Sequence, residues 1–446
     1  MKVLVLGTGI SGRSAYDFLL KKGYEVEFAK NEDINSKYLS KDYLDRLFYN
    51  LSFIVISPGI AMDSYFVRQA KKRKFSIIGE FELGVRELKS SVIAVTGTNG
   101  KTTTVSLIAF LLKNIKANVF LGGNVGVAVT SFAGNDTVKD VSILECSSFQ
   151  LESLSKFSPH IAVMLNITED HLNRHKTMER YIACKQRIVR GQTDKDFLIV
   201  NADSILLMQN IPKTKAKIFY FSTKRKVVGC YVKRNSIYFN DSLTEKKLVE
   251  LKNIKLVGEH NLSNILASVL AVYLQTGDIE ILKEISKFQC VEHRIEYVKT
   301  IKEVMFFNDS KATNIDSTLV ALKSFSNGIN LILGGSDKGY DFDKLFSKMP
   351  KNVKNITIFG QTRYKIALSA KKFKFFNVSI CADLRECVLV CFEKSSAGDV
   401  VLLSPACASF DCFSGYEERG RIFKKIVKEI MCDEDSLICQ KEKIKV

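Results

Sequence analysis

Along most of the chain, short continuous apolar runs alternate with longer stretches in which apolar positions recur at helical spacing. Short runs bounded by polar or glycine-rich turns read as buried strands, and the stretches between them read as amphipathic helices. Strand and helix in strict alternation predict an α/β protein built on parallel sheets. Three series separate. The first, to about residue 89, has strands at 3–6, 25–29 and 53–56. The second has strands at 92–95, 141–144, 161–165 and 197–200, a strand-rich part over 217–239 and a helix near 261–273. The third starts near 291, with strands at 304–307, 331–333, 356–359 and 400–403. The series predict three domains: a Rossmann-like 1–90, a central P-loop mononucleotide-binding sheet domain over 91–290, and a Rossmann-like 291–446. The charged tail beyond Met431 is expected to fray.

Composition narrows the class. A chain of 446 residues that is 46% hydrophobic and 26% charged is that of a globular protein of several domains. No apolar run approaches the roughly eighteen residues of a membrane span. The opening MKVLVLG enters a strand directly, without a secretory leader. Eleven cysteines are scattered with no CxxC pair, which suggests reduced thiols, so a cytoplasmic location is expected. The 66 basic against 48 acidic residues leave +18. Such a balance suits anionic partners, or else lysines spread over solvated faces, as in KKRK at 71–74 and KKFKFF at 371–376. A nucleic-acid-binding ATPase would also be basic, but no stacking motif, recognition helix or arginine-rich arm is present, and no nucleic-acid partner is expected.

Two glycine-rich loops carry the candidate chemistry. Gly7-Thr8-Gly9-Ile10-Ser11-Gly12 follows a strand and precedes a helix, the setting in which backbone amides at a helix N-terminus bind a diphosphate. A nicotinamide enzyme would place an acid at the end of the next strand, where Lys30 stands, with Glu32 and Asp33 just beyond. That weakens the oxidoreductase alternative and leaves a UDP group as a fitting occupant. The second loop, Gly97-Thr98-Asn99-Gly100-Lys101-Thr102-Thr103, departs from a Walker A loop, because Val95 occupies the first glycine position. Its strand–loop–helix setting still predicts phosphate binding, with Lys101 on phosphate oxygens and Thr102 on Mg²⁺. Glu145, and after the next strand Asn166, Asp170 and His171, emerge at neighbouring strand ends.

Lys185 sits in an apolar helical stripe of Met178, Tyr181, Ile182, Ile188 and Val189. A lysine there either snorkels to the surface or is buried with a lowered pKa. In the second case its neutral amine could add CO₂ and become an anionic metal ligand.

Taken in order, GTGISG, VISPGIA, GTNGKTTT, GGNVG, LECSSFQLE, LNITEDHLNRH, CKQRI, GEHNLSN, HRIEYV, NDSKATN, LGGSDKG and LLSPACASFDCFSGYEERG resemble the Mur ligase family over nearly the whole chain. The resemblance implies an ATP-dependent amide ligase of the cytoplasmic stage of peptidoglycan synthesis. It would add D-glutamate to UDP-N-acetylmuramoyl-L-alanine through an acyl phosphate, as a monomer without a membrane span. Another Mur enzyme or a folylpolyglutamate synthetase is the same-class alternative. By motif, Gly7, Gly9, Ile10, Ser11, Gly12, Ser57, Asn124, Ser147 and His171 would hold the UDP-sugar. Gly97, Thr98, Asn99, Gly100, Lys101, Thr102, Thr103, Asn261, Asn264, Arg294 and Asp309 would hold ATP. Two Mg²⁺ ions would be held by Thr102, Glu145, His171 and carbamylated Lys185. Thr313, Lys338, Ser409, Phe410 and Tyr416 would shape the D-glutamate site. Lys101, His171, Lys185 and Lys311 would be catalytic. Lys30-Asn31-Glu32 stands where the family pattern has Asp-Thr-Arg, which puts the uracil contacts in doubt.

Overall fold

Three sheets organise the chain, each with a largely apolar stretch of strand buried on both faces, at residues 3–6, 92–95 and 329–334. The structure, a computed structural model, describes residues 1–29, 39–113, 115, 117–254, 259–288 and 292–442. Lys30-Asn31-Glu32 therefore lies outside the described residues. The first sheet contains β1 (Lys2–Leu6), β2 (Glu25–Ala29), β3 (Leu51–Ile56) and β4 (Ile77–Gly79), in the order β2-β1-β3-β4, all parallel. The order reverses at β1, so the loops after β1 and β3 lie side by side at the carboxyl edge, where open α/β sheets bind ligands.

The second sheet has nine strands: β5 (Ser91–Thr96), β6 (Val119–Gly123), β7 (Val141–Glu145), β8 (Ile161–Met164), β9 (Phe197–Asn201), β10 (Lys217–Ser222), β11 (Gly229–Lys233), β12 (Ser236–Asn240) and β13 (Glu245–Glu250). Their order is β13-β12-β11-β10-β9-β8-β5-β7-β6. From β6 through β10 the pairing is parallel. The strand-rich part departs from the expected parallel pattern, because β11, β12 and β13 form an antiparallel meander. The two-residue turn Arg234-Asn235, both in the left-handed region, closes the first hairpin. Here β5 is the reversal point, flanked by β7 and β8.

The third sheet joins β14 (Glu296–Ile301), β15 (Val304–Asn308), β16 (Ile329–Gly334), β17 (Val353–Phe359), β18 (Val378–Ile380) and β19 (Val400–Leu403), in the order β14-β15-β19-β16-β17-β18. Only β14 is antiparallel; its alternation of half-buried and exposed positions hid it in the sequence. The last helix runs from Tyr416 to Glu442, across the start of the tail expected to fray.

The chain divides into two compact units. One contains the first two sheets, residues 1–255 and 261–288; the other contains 256–260 and 289–446. Within the first unit the two sheets are tied by buried acids on the helix Glu80–Val85. Glu82 accepts from the amides of Ser155 and Lys156, both at 2.9 Å. Glu80, 1% exposed, accepts from the Thr130 amide at 3.0 Å and its hydroxyl at 2.8 Å. The same hydroxyl lies 2.7 Å from Ser14 Oγ on the helix Ile10–Lys21. Gly84 lies where a side chain would collide with Val129, since an added Cβ would come within 2.7 Å of Cγ1.

Burial raises the Glu80 pKa above its ordinary 4.5, outweighing the Thr130 hydrogen bonds. A raised carboxyl pKa contributes stability that is complete below the unfolded value and lost as pH rises through the folded value. Glu80→Gln keeps the acceptor for Thr130 and removes the charge. We expect its melting temperature to exceed that of the parent protein at pH 8, with the gap closing toward pH 4.5. A gap that widens on acidification would contradict this account.

Candidate active site

The first loop is shaped by close backbone approach. Gly7 adopts φ +96°, and a Cβ there would meet Ser57 Oγ at 2.8 Å. A Cβ on Gly12 would lie 1.8 Å from the Gly7 carbonyl oxygen, so only glycine lets the helix start against the strand end. Gly9 caps the helix Ile10–Lys21 without a side-chain bond. Ser57, whose amide donates to Leu6 O at 3.0 Å, has a buried hydroxyl with no protein partner. An orphaned hydroxyl beside a helix N-terminus fits an anion that supplies the missing acceptor. Ile10, 82% exposed, stands at the rim of this cradle.

The second loop links β5 to the helix Lys101–Leu112, with Gly100 at φ +86° as its cap. A Cβ on Gly100 would come within 2.2 Å of Asn264 Oδ1, which places Asn264 against the loop. Asn261 is buried one turn earlier on the same helix. Asn166, after β8, clamps the loop: its Oδ1 accepts from the Asn99 amide at 2.8 Å and its Nδ2 donates to Asn99 O at 3.0 Å. Lys101 Nζ donates to the loop's own carbonyls, Gly97 O at 2.9 Å and Thr98 O at 2.8 Å. Thr102 Oγ1 donates to Glu145 Oε2 at 2.7 Å, at the end of β7. Asn124, expected on the UDP-sugar, donates to Glu145 Oε1 at 2.8 Å. Thr103 Oγ1 is buried without a partner. The paired oxygens of Thr102 and Glu145 are the donors a hard divalent cation takes.

Lys185 does not snorkel. It is 1% exposed, and Nζ donates to Gly97 O at 2.7 Å while lying 4.6 Å from the centre of the Tyr181 ring. Burial drives its pKa well below 10.5, and the Lys101 charge pushes it further down, against the pull of Asp170. The neutral amine is therefore favoured, which is the form that adds CO₂. The Tyr181 hydroxyl is 3.0 Å from Thr98 Oγ1, so the helix Met178–Gln186 grips the phosphate loop at two points. His171 begins the short helix Leu172–His175 in the left-handed region (φ 55°), with Nε2 3.6 Å from Asp170 Oδ2 and its ring against Phe149. Ser147 caps the helix Ser148–Glu152 in a reciprocal box with Gln150.

In the second unit, the remaining candidates follow the carboxyl ends of β15, β16 and β19, which are neighbours in the sheet. Thr313 and Lys311 follow β15, Lys338 follows β16, and Ser409, Phe410 and Tyr416 follow β19. Lys311 Nζ stands 4.9 Å from the Tyr416 ring centre, and Lys338 Nζ 5.7 Å from that of Tyr340. Ser409 is buried, whereas Phe410 is 76% exposed. Asp309 is buried and accepts from Ser404 Oγ at 2.8 Å. Burial pushes its pKa up to about 7, against the opposing charge of Arg294. Arg294 Nε is buried without a hydrogen-bond partner.

Two arginines and a histidine escaped the sequence reading. Arg419, fully buried, donates to Ser310 Oγ at 3.0 Å and to the carbonyls of Ser310 (2.8 Å), Cys407 (3.1 Å) and Ala408 (3.2 Å). It thereby ties the loop after β15 to the loop after β19. Arg174 bonds Glu152 Oε2 through Nε and Nη2, at 3.1 and 2.6 Å. It also donates to Ile60 O at 2.7 Å and so joins the His171 segment to the Ser57 loop. His175 is buried between Ser148 Oγ (2.9 Å) and Cys184 Sγ (3.8 Å), and burial lowers its pKa. The only signal was the quoted motif around them; charged residues inside a loop-rich stretch carry no periodicity.

Comparison with known proteins fits this arrangement. The Mur ligase middle domain matches residues 95–272, and the Mur ligase glutamate ligase domain matches residues 293–407. The UDP-N-acetylmuramoylalanine--D-glutamate ligase of Koribacter versatilis is 39% identical over 96% of this chain and 97% of its own. The protein of that name from Clostridioides difficile is 37% identical over 96% and 98%. Among solved structures, the UDP-N-acetylmuramate-alanine ligase of Thermotoga maritima superposes with a TM-score of 0.59 at 19% identity, covering 96% of this chain and 99% of that one. A pseudomurein peptide ligase type C from Methanothermus fervidus gives 0.61 at 17% identity with the same coverage. These two likenesses concern the fold, a three-domain α/β arrangement. With relatives this similar over nearly its full length, the chain belongs to the Mur ligase family.

Proposed function

We propose that this chain is an ATP-dependent carboxylate–amine ligase that joins D-glutamate to UDP-N-acetylmuramoyl-L-alanine in peptidoglycan synthesis, working as a cytoplasmic monomer. The observation that carries the reading is the convergence at the ends of β5, β7 and β8. There Lys101, the Thr102–Glu145 pair and a buried Lys185 surround one phosphate-type loop. The three sheets support domain limits near 1–90, 91–290 and 291–446, since β4 ends at Gly79, β5 begins at Ser91 and β14 begins at Glu296.

The first loop, with Gly7, Gly9, Ile10, Ser11, Gly12 and Ser57, takes the UDP diphosphate, and Asn124, Ser147 and His171 face the sugar side. Residues Gly97 to Thr103, with Asn261, Asn264, Arg294 and Asp309, hold ATP. Thr102 and Glu145 would hold one Mg²⁺; His171 and Lys185, the latter as a carbamate, would hold the second. Bound there, the ions would neutralise charge on the transferring phosphoryl group.

The substrate carboxylate oxygen attacks the γ-phosphorus, and the bond to the ADP oxygen breaks. Lys101 and Lys311 offset the charge on the phosphoryl oxygens. The D-glutamate amine then attacks the acyl carbon, the carbon–oxygen bond to phosphate breaks, and one proton is released overall. Thr313, Lys338, Ser409, Phe410 and Tyr416 hold D-glutamate, with Lys338 matching a carboxylate. Two anionic substrates and a third anion must meet, so positioning and charge neutralisation supply most of the acceleration.

The decisive assay measures ADP release with UDP-N-acetylmuramoyl-L-alanine while the added amino acid is varied. Turnover should require D-glutamate; turnover driven instead by L-alanine or L-glutamate would sink the reading. Calorimetry should detect UDP-sugar binding and no NAD⁺ or NADP⁺ binding.

Lys185→Ala should lose at least about a hundredfold in kcat, and a short-chain carboxylate should restore part of it by standing in for the carbamate. Full activity without added carboxylate or bicarbonate would remove the carbamate from the scheme. Lys338→Ala should raise KM for D-glutamate by roughly tenfold or more, the loss of one charge-assisted contact, with ATP binding unchanged. An unchanged KM would place the D-glutamate carboxylates elsewhere.

A further inference from the structure

The KKFKFF run is unused by the site above, and the structure gives it a defined shape. The helix Arg363–Lys372 ends in a tight turn in which Phe373 N donates to Ser369 O at 3.1 Å and Phe375 N to Ala370 O at 2.9 Å. Lys374 turns the chain in the left-handed region, at φ 57°. Phe375 packs into the core beside Phe346, with ring centres 6.3 Å apart, and so anchors the turn. Its neighbours do the opposite. Lys371, Lys372, Phe373, Lys374 and Phe376 are all exposed, Phe376 by 75%. Two exposed apolar residues, Tyr364 and Leu368, lie on the preceding helix one turn apart.

The turn itself carries only basic charge, with Asp343 and Asp341 near Lys372. Lys372 is paired with Asp343, but Lys371 and Lys374 have no ion-pair partner among the described residues. Exposed aromatic side chains interleaved with unpaired lysines on a convex turn form no pocket for a small ligand. They match a surface that is apolar just beneath an anionic skin. The helix follows β17 and precedes β18, so its last turn lies at the amino ends of these strands. The loops carrying Lys311, Lys338 and Ser409 lie at the carboxyl ends, on the opposite edge of the sheet. Contact through the turn leaves that edge open. No helix among the described residues is long and apolar enough to cross a membrane, so contact would be peripheral.

We propose that the Lys371–Phe376 turn docks the protein reversibly on an anionic lipid bilayer, with Phe373 and Phe376 entering the headgroup region and Lys371 and Lys374 facing lipid phosphates. Neither component suffices alone, since single weak anchors give marginal binding and stable contact takes two.

The test is co-sedimentation of the full chain with phosphatidylglycerol–phosphatidylcholine vesicles, against phosphatidylcholine alone, at low and high salt. The parent protein should partition to the anionic vesicles and be released by salt. K371Q/K374Q should weaken partitioning roughly thirtyfold, taking each lysine at its usual surface contribution. Phe376→Ser, a change at a largely exposed side chain, should weaken it at least about fivefold. Both variants should keep the parent melting temperature and ADP release in solution. Absence of binding to anionic vesicles, or equal binding by the Phe376→Ser variant, overturns the proposal. So does self-association of the parent chain that Phe376→Ser abolishes in sedimentation velocity without lipid, because the turn would then serve a second copy.

Discussion

One backbone oxygen organises the catalytic half of the molecule. The Gly97 carbonyl accepts from Lys101 at 2.9 Å and from Lys185 at 2.7 Å. Two ammonium groups cannot both stay charged at such range inside a protein without a large electrostatic cost. Lys101 is partly solvated at a helix start, while Lys185 is sealed beneath Tyr181, so it is Lys185 whose pKa is driven down by burial and by the Lys101 charge. The fold thus assigns opposite states to two residues of the same type. A lysine with a depressed pKa contributes stability that is complete above the unfolded value and lost as pH falls through the folded value. Folding therefore favours the deprotonated amine at Lys185.

The remaining parts extend outward from that point. Thr98 and Asn166 fix the loop to β8 and to Tyr181, and Thr102 fixes the helix start to Glu145 on β7. Arg174 carries the connection to the first sheet through the Ile60 carbonyl, which ties the His171 segment to the loop after β3. In the second unit Arg419 plays the corresponding part for the loops after β15 and β19. Each arginine satisfies carbonyls that a loop would otherwise leave buried and unpaired. Such bonds are worth more in stability than exposed ion pairs.

Much of this was legible in the sequence because it follows from periodicity. Continuous apolar runs marked the parallel strands, and a lysine at the centre of an apolar helical stripe marked Lys185. Glycine spacing marked both loops, and the structure gives the reason at Gly12 and Gly100, where a Cβ has no room. What escaped lacked a period. The edge strands β13 and β14 are half exposed, so their patterns blur. Whether Lys185 snorkels or is buried depends on what covers its tip, here Tyr181 and the Gly97 loop. Sequence spacing does not contain that fact. The hydrogen bond from the Asn124 amide to the Glu145 carboxylate is likewise a tertiary fact that spacing does not contain.

The basic balance of the chain acquires a division of labour. Lys101 in the first unit, and Lys311 and Lys338 in the second, follow the carboxyl ends of strands. Away from these ends, most lysines are solvated, and exposed pairs such as Lys283–Glu280 and Lys287–Glu284 add little to stability. The acids that matter structurally are the buried ones. Glu82 is held ionised by two amides and Arg86, while Glu80 and Asp309 are driven toward the neutral form by burial. Asp309, pushed up to about 7, sits where Arg294 opposes its protonation. An anionic nucleotide drawing on Arg294 would weaken that opposition and favour the protonated acid. The state of Asp309 is therefore set by its burial against the Arg294 charge.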